Sequence, residues 1–114
     1  MAPNRALWSQ EASRLIGEEC LQLHPDIIAL QECPNESWGG STFGPDYVSI
    51  GTQLASHVQE GLVDLLLQRE LAQHAWRITL EHPAFSLPSM AAVMALPNGA
   101  RIISCSLHLP RNMR

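Results

Sequence analysis

With 114 residues, 46% of them apolar and 16% charged, the chain has the composition of a packed domain or part of one, and not of a disordered segment. The formal net charge is −4, and all seven basic residues are arginines. That excludes a lysine-bearing phosphate loop and leaves no basic stripe for non-specific nucleic-acid binding.

An acidic chain can still act on phosphates when a bound divalent cation supplies the positive charge. The three cysteines, Cys20, Cys33 and Cys105, are odd in number and widely spaced. They fit buried thiols in a reducing compartment and not a disulfide framework. Cys20 and His24 stand four apart, a spacing that could put two metal ligands on one helix face, but no second pair completes a zinc site. The N-terminus has no signal-peptide core, and no apolar run approaches the roughly 18 residues of a membrane span. A soluble intracellular protein, cytoplasmic or nuclear, is the expectation.

In chain order, residues 7–23 carry Trp8, Ala12, Leu15, Ile16, Cys20 and Leu23 at helical spacing, with Glu11, Arg14, Glu18, Glu19 and Gln22 on the other side. Ser9 is the candidate N-cap. Pro25 ends the helix and pushes His24 toward extended geometry. The run Ile27-Ile28-Ala29-Leu30 lies between Pro25 and Pro34 and reads as a strand buried on both faces. A helix followed by such a strand is the second half of a βαβ unit. Residues 33–46 are rich in turn formers and read as a loop.

Residues 47–50 are a short strand candidate, and residues 51–60 a second loop. Residues 62–68 are a third strand candidate, with a helix as the alternative for so Leu-rich a run. Residues 75–80 are a fourth, followed by a connection through residue 88. The end of the chain reads as a hairpin. The apolar runs 90–96 and 100–107 flank Pro97-Asn98-Gly99, and Asn-Gly between such runs is a strong hairpin signal. In the second run Ile103, Cys105 and Leu107 share one face, and Ile102, Ser104, Ser106 and His108 the other.

Two residues stand out chemically. Glu32 directly follows the apolar strand, where rigid backbone would hold a carboxylate suited to a hard cation such as magnesium. The alternative is a surface Glu capping the next turn. His108 stands at a strand end on the more polar face. A structural histidine is the alternative there. Asp64, inside an apolar strand pattern, reads as a structural hydrogen-bonding residue.

The segment Pro25-Asp26-Ile27-Ile28-Ala29-Leu30-Gln31-Glu32 resembles the Pro-Asp-(apolar)-(apolar)-x-Leu-Gln-Glu signature of the endonuclease/exonuclease/phosphatase superfamily, whose fold is that of deoxyribonuclease I. Ser106-Leu107-His108-Leu109 resembles the superfamily's (Asn/Ser)-x-His-(Leu/Ser) segment, and the order and separation of the two motifs fit. The resemblance implies an α/β fold of α+β-like sandwich type, an incomplete four-layer α/β/β/α deoxyribonuclease I-like fold. It implies Glu32 as a ligand to Mg2+ or Mn2+, His108 as the histidine acting at the scissile phosphate, and Glu60 as the carboxylate that orients it.

The implied substrate is a phosphate ester, with nucleic acid among the candidates. Residues 1–114 then correspond to a partial domain. It lacks the first strand with its metal-site asparagine, since Asn4 sits before the helix. It also lacks the C-terminal half with its Asp-x-Asn and Ser-Asp-His motifs. Two readings follow. The chain is a fragment of a metal-dependent phosphodiesterase or phosphomonoesterase, inactive when isolated from the missing C-terminal segment. Alternatively it is a truncated, catalytically inactive relative that acts as a binding module or needs a partner segment.

Overall fold

The computed structural model describes residues 9–54, 62–78 and 89–107. Over these the chain forms three helices and two three-stranded antiparallel sheets, a mixed α+β arrangement. The order is α1 (Gln10–Gln22), β1 (Ile27–Cys33), α2 (Trp38–Phe43), β2 (Tyr47–Leu54), β3 (Leu62–Gln68), α3 (Arg69–Ala72), β4 (Ala75–Ile78), β5 (Ser89–Ala95) and β6 (Arg101–Leu107). The first sheet runs β1-β3-β2 and the second β4-β5-β6.

Ser9 caps α1 as expected, its hydroxyl accepting from the Ala12 amide at 3.1 Å. The buried side of the helix follows its apolar spacing only in part: Cys20 packs on the core and Ala12 is half-buried. Leu15, Ile16 and Leu23 are exposed, whereas Gly17 is buried. The cause is a close crossing with α2: a Cβ on Gly17 would sit 2.8 Å from the Thr42 carbonyl oxygen, so only glycine admits the approach. Ser13 adds a hydroxyl that accepts from the Trp38 indole N–H at 2.9 Å. Trp38 in turn packs edge-to-face on Phe43, with ring centroids 5.8 Å apart. The helix does stop before Pro25, but His24 is left-handed (φ 49°) and not extended. Its amide donates to the Leu21 carbonyl, closing the frayed last turn.

β1 is an edge strand. It pairs with β3 alone, antiparallel, and Ala29 is exposed, so neither the doubly buried strand nor the βαβ unit is present in the described residues. A short apolar run is equally compatible with a one-sided edge position, and local sequence does not separate the two. The segment read as the loop 33–46 contains α2, and β2 runs on through Leu54. The Leu-rich run 62–68 is the strand β3, central in its sheet, with Leu62 to Leu67 all buried.

Alternation along β3 divides the core. Leu62 and Leu66 face the helices with Ile28, Cys33, Trp38, Phe43 and Tyr47. Val63, Leu65 and Leu67 face the second sheet and pack on Met90, Ala92 and Met94 of β5. The described chain is therefore three layers deep: helices, first sheet, second sheet.

The hairpin β5–β6 forms as expected. Leu96 and Ala100 close its loop with a 2.8 Å backbone bond, and Gly99 supplies the positive φ (86°) that the turn needs. The thiols depart from expectation: only Cys33 is fully buried, and Cys105 is exposed on β6. No helix among the described residues is long and apolar enough to cross a membrane.

Candidate functional site

Glu32 lies inside β1, not after it. The pairing of β1 with β3 runs from Ile27↔Leu67 to Leu30↔Asp64 and then jumps to Cys33↔Leu62. That jump is a β-bulge at Gln31 and Glu32. Strict alternation would place Leu30 and Cys33 on opposite faces, because they are three residues apart. The bulge resets the alternation, so both join the core beneath the helices. Gln31, in step with Ile27 before the bulge, points toward the second sheet, and Glu32 takes a left-handed backbone conformation at φ 59°. Positive φ on a non-glycine residue is uncommon and costs of order 1 kcal/mol or more. Glu32 is exposed. The strain is held by the pairing on either side of it.

Gln31 has a partner far along the chain. Its side-chain amide donates to Ser106 Oγ at 3.0 Å, and the Ser106 hydroxyl donates to the Leu30 carbonyl oxygen at 2.7 Å. Ser106 is fully buried, on the side of β6 that faces the first sheet. The segment ending in Glu32 and the segment leading to His108 are thus joined by two hydrogen bonds across the gap between the sheets. Sequence reasoning placed both residues within motifs but gave neither a role. The available signal was a pair of serines alternating along an otherwise apolar strand.

The two other candidates, Glu60 and His108, lie outside the described residues. Their flanking strands are described. β3 starts at Leu62, paired with Cys33 of β1, and β6 ends at Leu107, paired with Ser89. The chain enters β3 and leaves β6 at the end of the sandwich where Glu32 sits. Among the described residues, no group of three or more His, Cys, Asp or Glu side chains is placed to hold a metal ion. Cys20 and His24 form no such group with the other described residues.

Asp64 is the strongest polar feature inside the molecule. It is 1% exposed on the helix-facing side of β3. Its Oδ1 accepts from the Ser49 hydroxyl at 2.6 Å, while Oδ2 is buried without a hydrogen-bond partner. A Cβ on Gly39 would stand 2.6 Å from that Oδ2, so the carboxylate fills the space that a side chain on α2 would need. Burial raises the Asp64 pKa against the lowering effect of its bonds from Ser49 and the Leu65 backbone. Burial, helped by the Asp64 charge, also pushes the Cys33 thiol up to about 12, so it stays protonated and unreactive. The expectation of a structural Asp64 is met on one oxygen and not on the other.

Comparison with protein-family models, with curated proteins and with solved structures returned no match to this chain.

Proposed function

We propose that the chain carries part of the site of a divalent-metal-dependent phosphoesterase of the kind its two motifs resemble, hydrolysing a phosphodiester or phosphomonoester. The parent architecture would be the four-layer α/β/β/α sandwich. The observation that supports this reading is the Ser106 bridge. Two motifs that the resemblance pairs in function, separated by about 75 positions, are hydrogen-bonded to each other in space. The bulge supports it as well, because it holds Glu32 on strained, exposed backbone at a point where bulges commonly redirect functional side chains.

Glu32 fits a magnesium or manganese ion in one specific sense. Magnesium takes one or two carboxylates and completes its shell with water and substrate phosphate oxygens, so a preformed cage is not required. Such an ion, when bound, polarises phosphoryl oxygens and offsets developing charge. In this reading Glu32 anchors the ion, and Ser106 and Gln31 fix the distance between the strand bearing Glu32 and the strand leading to His108. His108 donates a hydrogen bond or proton to the phosphate or the leaving group, with Glu60 orienting its imidazole. The roles of His108 and Glu60 come from the resemblance alone.

The test is Mn2+ binding, followed by electron paramagnetic resonance with and without inorganic phosphate, alongside hydrolysis of bis-p-nitrophenyl phosphate. Glu32→Gln is expected to weaken Mn2+ binding at least about tenfold, since loss of a charged ligand exceeds the 1.4 kcal/mol that a factor of ten represents. Any metal-dependent hydrolysis that the chain retains should fall with it. Binding unchanged in Glu32→Gln would remove the metal role. Absence of binding in the unsubstituted chain would favour the catalytically inactive binding module.

A further inference from the structure

Each sheet has two free edges among the described residues: β1 and β2 in the first, β4 and β6 in the second. Free edges invite pairing with another chain, and folded proteins blunt them with charges, bulges, prolines or short strands. Three of the four are blunted here. β1 carries the bulge and the Glu32 charge. β2 carries a bulge between Ser49 and Gly51. β4 is four residues long and includes Arg77.

Among the described residues β6 is the least protected of the four, with a charge only at Arg101, its first residue. Its seven residues pair with β5 in unbroken register, and from Ile102 to Leu107 there is no charge and no proline. Ile102 and Ile103 are 41% and 68% exposed.

The edge can pair with a second copy of itself without opposing like charges. An antiparallel pairing of two β6 strands that uses all seven residues sets Ser104 opposite Ser104. Arg101 then faces Leu107, Ile102 faces Ser106 and Ile103 faces Cys105, so no like charges meet. On the outer face of the second sheet, Trp76, Val93 and Ile103 form one cross-strand row, and Ile78, Ala91 and Cys105 form another. The pairing joins the first row of one copy to the second row of the other, giving an unbroken apolar band over six strands.

We infer that the β6 edge is a self-association surface, at which two copies of this chain join antiparallel about Ser104 into a closed two-fold dimer with one continuous six-stranded sheet. Because the contact is isologous, it ends at two copies and does not propagate. The inference stands on the edge pattern and is independent of any phosphoesterase activity.

Sedimentation velocity on the full chain, across micromolar concentrations, tests it. The expected species has twice the 12.6 kDa chain mass. Ile103→Lys, at an exposed site that leaves the fold intact by circular dichroism, should weaken the dimer at least about tenfold by placing an edge charge in the interface. Mild oxidation of Ser104→Cys, with Cys20 and Cys105 replaced by serine, should give a disulfide-linked dimer. The same treatment of Ile102→Cys should not, because that residue faces Ser106 and not itself. A monomeric unsubstituted chain, an assembly larger than a dimer, a dimer that survives Ile103→Lys, or equal crosslinking at positions 104 and 102 would each overturn the inference.

Discussion

The Ser106 hydroxyl accepts from the Gln31 side chain and donates to the Leu30 carbonyl, so one buried serine of β6 ties down the N-terminal side of the bulge that holds Glu32. The two sheets share an apolar core, and this polar pair lies at its margin, beneath the edge strand β1. Ser106→Ala would remove both of these part-buried hydrogen bonds. The expected loss is roughly 1–3 kcal/mol in urea unfolding. A double-mutant cycle with Gln31→Ala should give a coupling of at least about 0.5 kcal/mol, because each residue is the other's partner. Additive losses would mean that the bond between them contributes nothing.

Glu32 combines strain with a proposed ligand role, and the two can be separated. Glu32→Gly relieves the positive φ and should stabilise the fold by roughly 1 kcal/mol. Glu32→Ala keeps the strain and should not stabilise. Both remove the carboxylate, so both should lose whatever metal binding the chain has. Thermal unfolding of the two variants side by side reads the difference. A Glu32→Gly variant no more stable than Glu32→Ala would show that the backbone there is not strained.

Asp64 makes stability depend on pH in an unusual direction. Its folded-state pKa is raised above the ordinary carboxylate value of 3.8, so the folded protein holds its proton more tightly than the unfolded chain does. The stabilisation from this group is complete below the unfolded value and is lost as pH rises through the folded one. Asp64→Asn should therefore be more stable than the unsubstituted chain at neutral pH, with the gap closing as pH falls toward 4. Melting temperatures of the two proteins from pH 4 to 8 test this. A gap that does not change with pH would refute it.

The two adjacent glycines of α2 should respond oppositely to alanine. At Gly39 the new Cβ would stand 2.6 Å from Asp64 Oδ2 and 3.1 Å from a Leu66 methyl, so Gly39→Ala should cost about 1–3 kcal/mol. At Gly40 nothing lies within 4 Å, so Gly40→Ala should gain roughly 0.5–1 kcal/mol from helix propensity. Equilibrium unfolding of both variants decides the point. Equal effects would mean that α2 is not seated on Asp64.

By itself the sequence pointed to several local elements: a helix capped by Ser9, a strand after Pro25, an apolar run at residues 62–68 readable as strand or helix, and the hairpin around Asn98-Gly99. Each follows from capping, periodicity or turn chemistry acting within about ten residues. It also singled out Glu32 through the motif that ends in it. Tertiary structure decided the rest. The edge position of β1, the antiparallel sheets and the choice of Gly17 over Leu15 and Ile16 as the buried side of α1 depend on which surfaces meet, and those surfaces lie far apart in the chain. The bulge at Glu32 exists because Leu30 and Cys33 must both reach a core formed by α2 and β3, a demand that no window around Glu32 contains. The Gln31–Ser106 bond and the half-satisfied Asp64 are likewise products of long-range packing, which sets each polar group's partners only after the layers have closed.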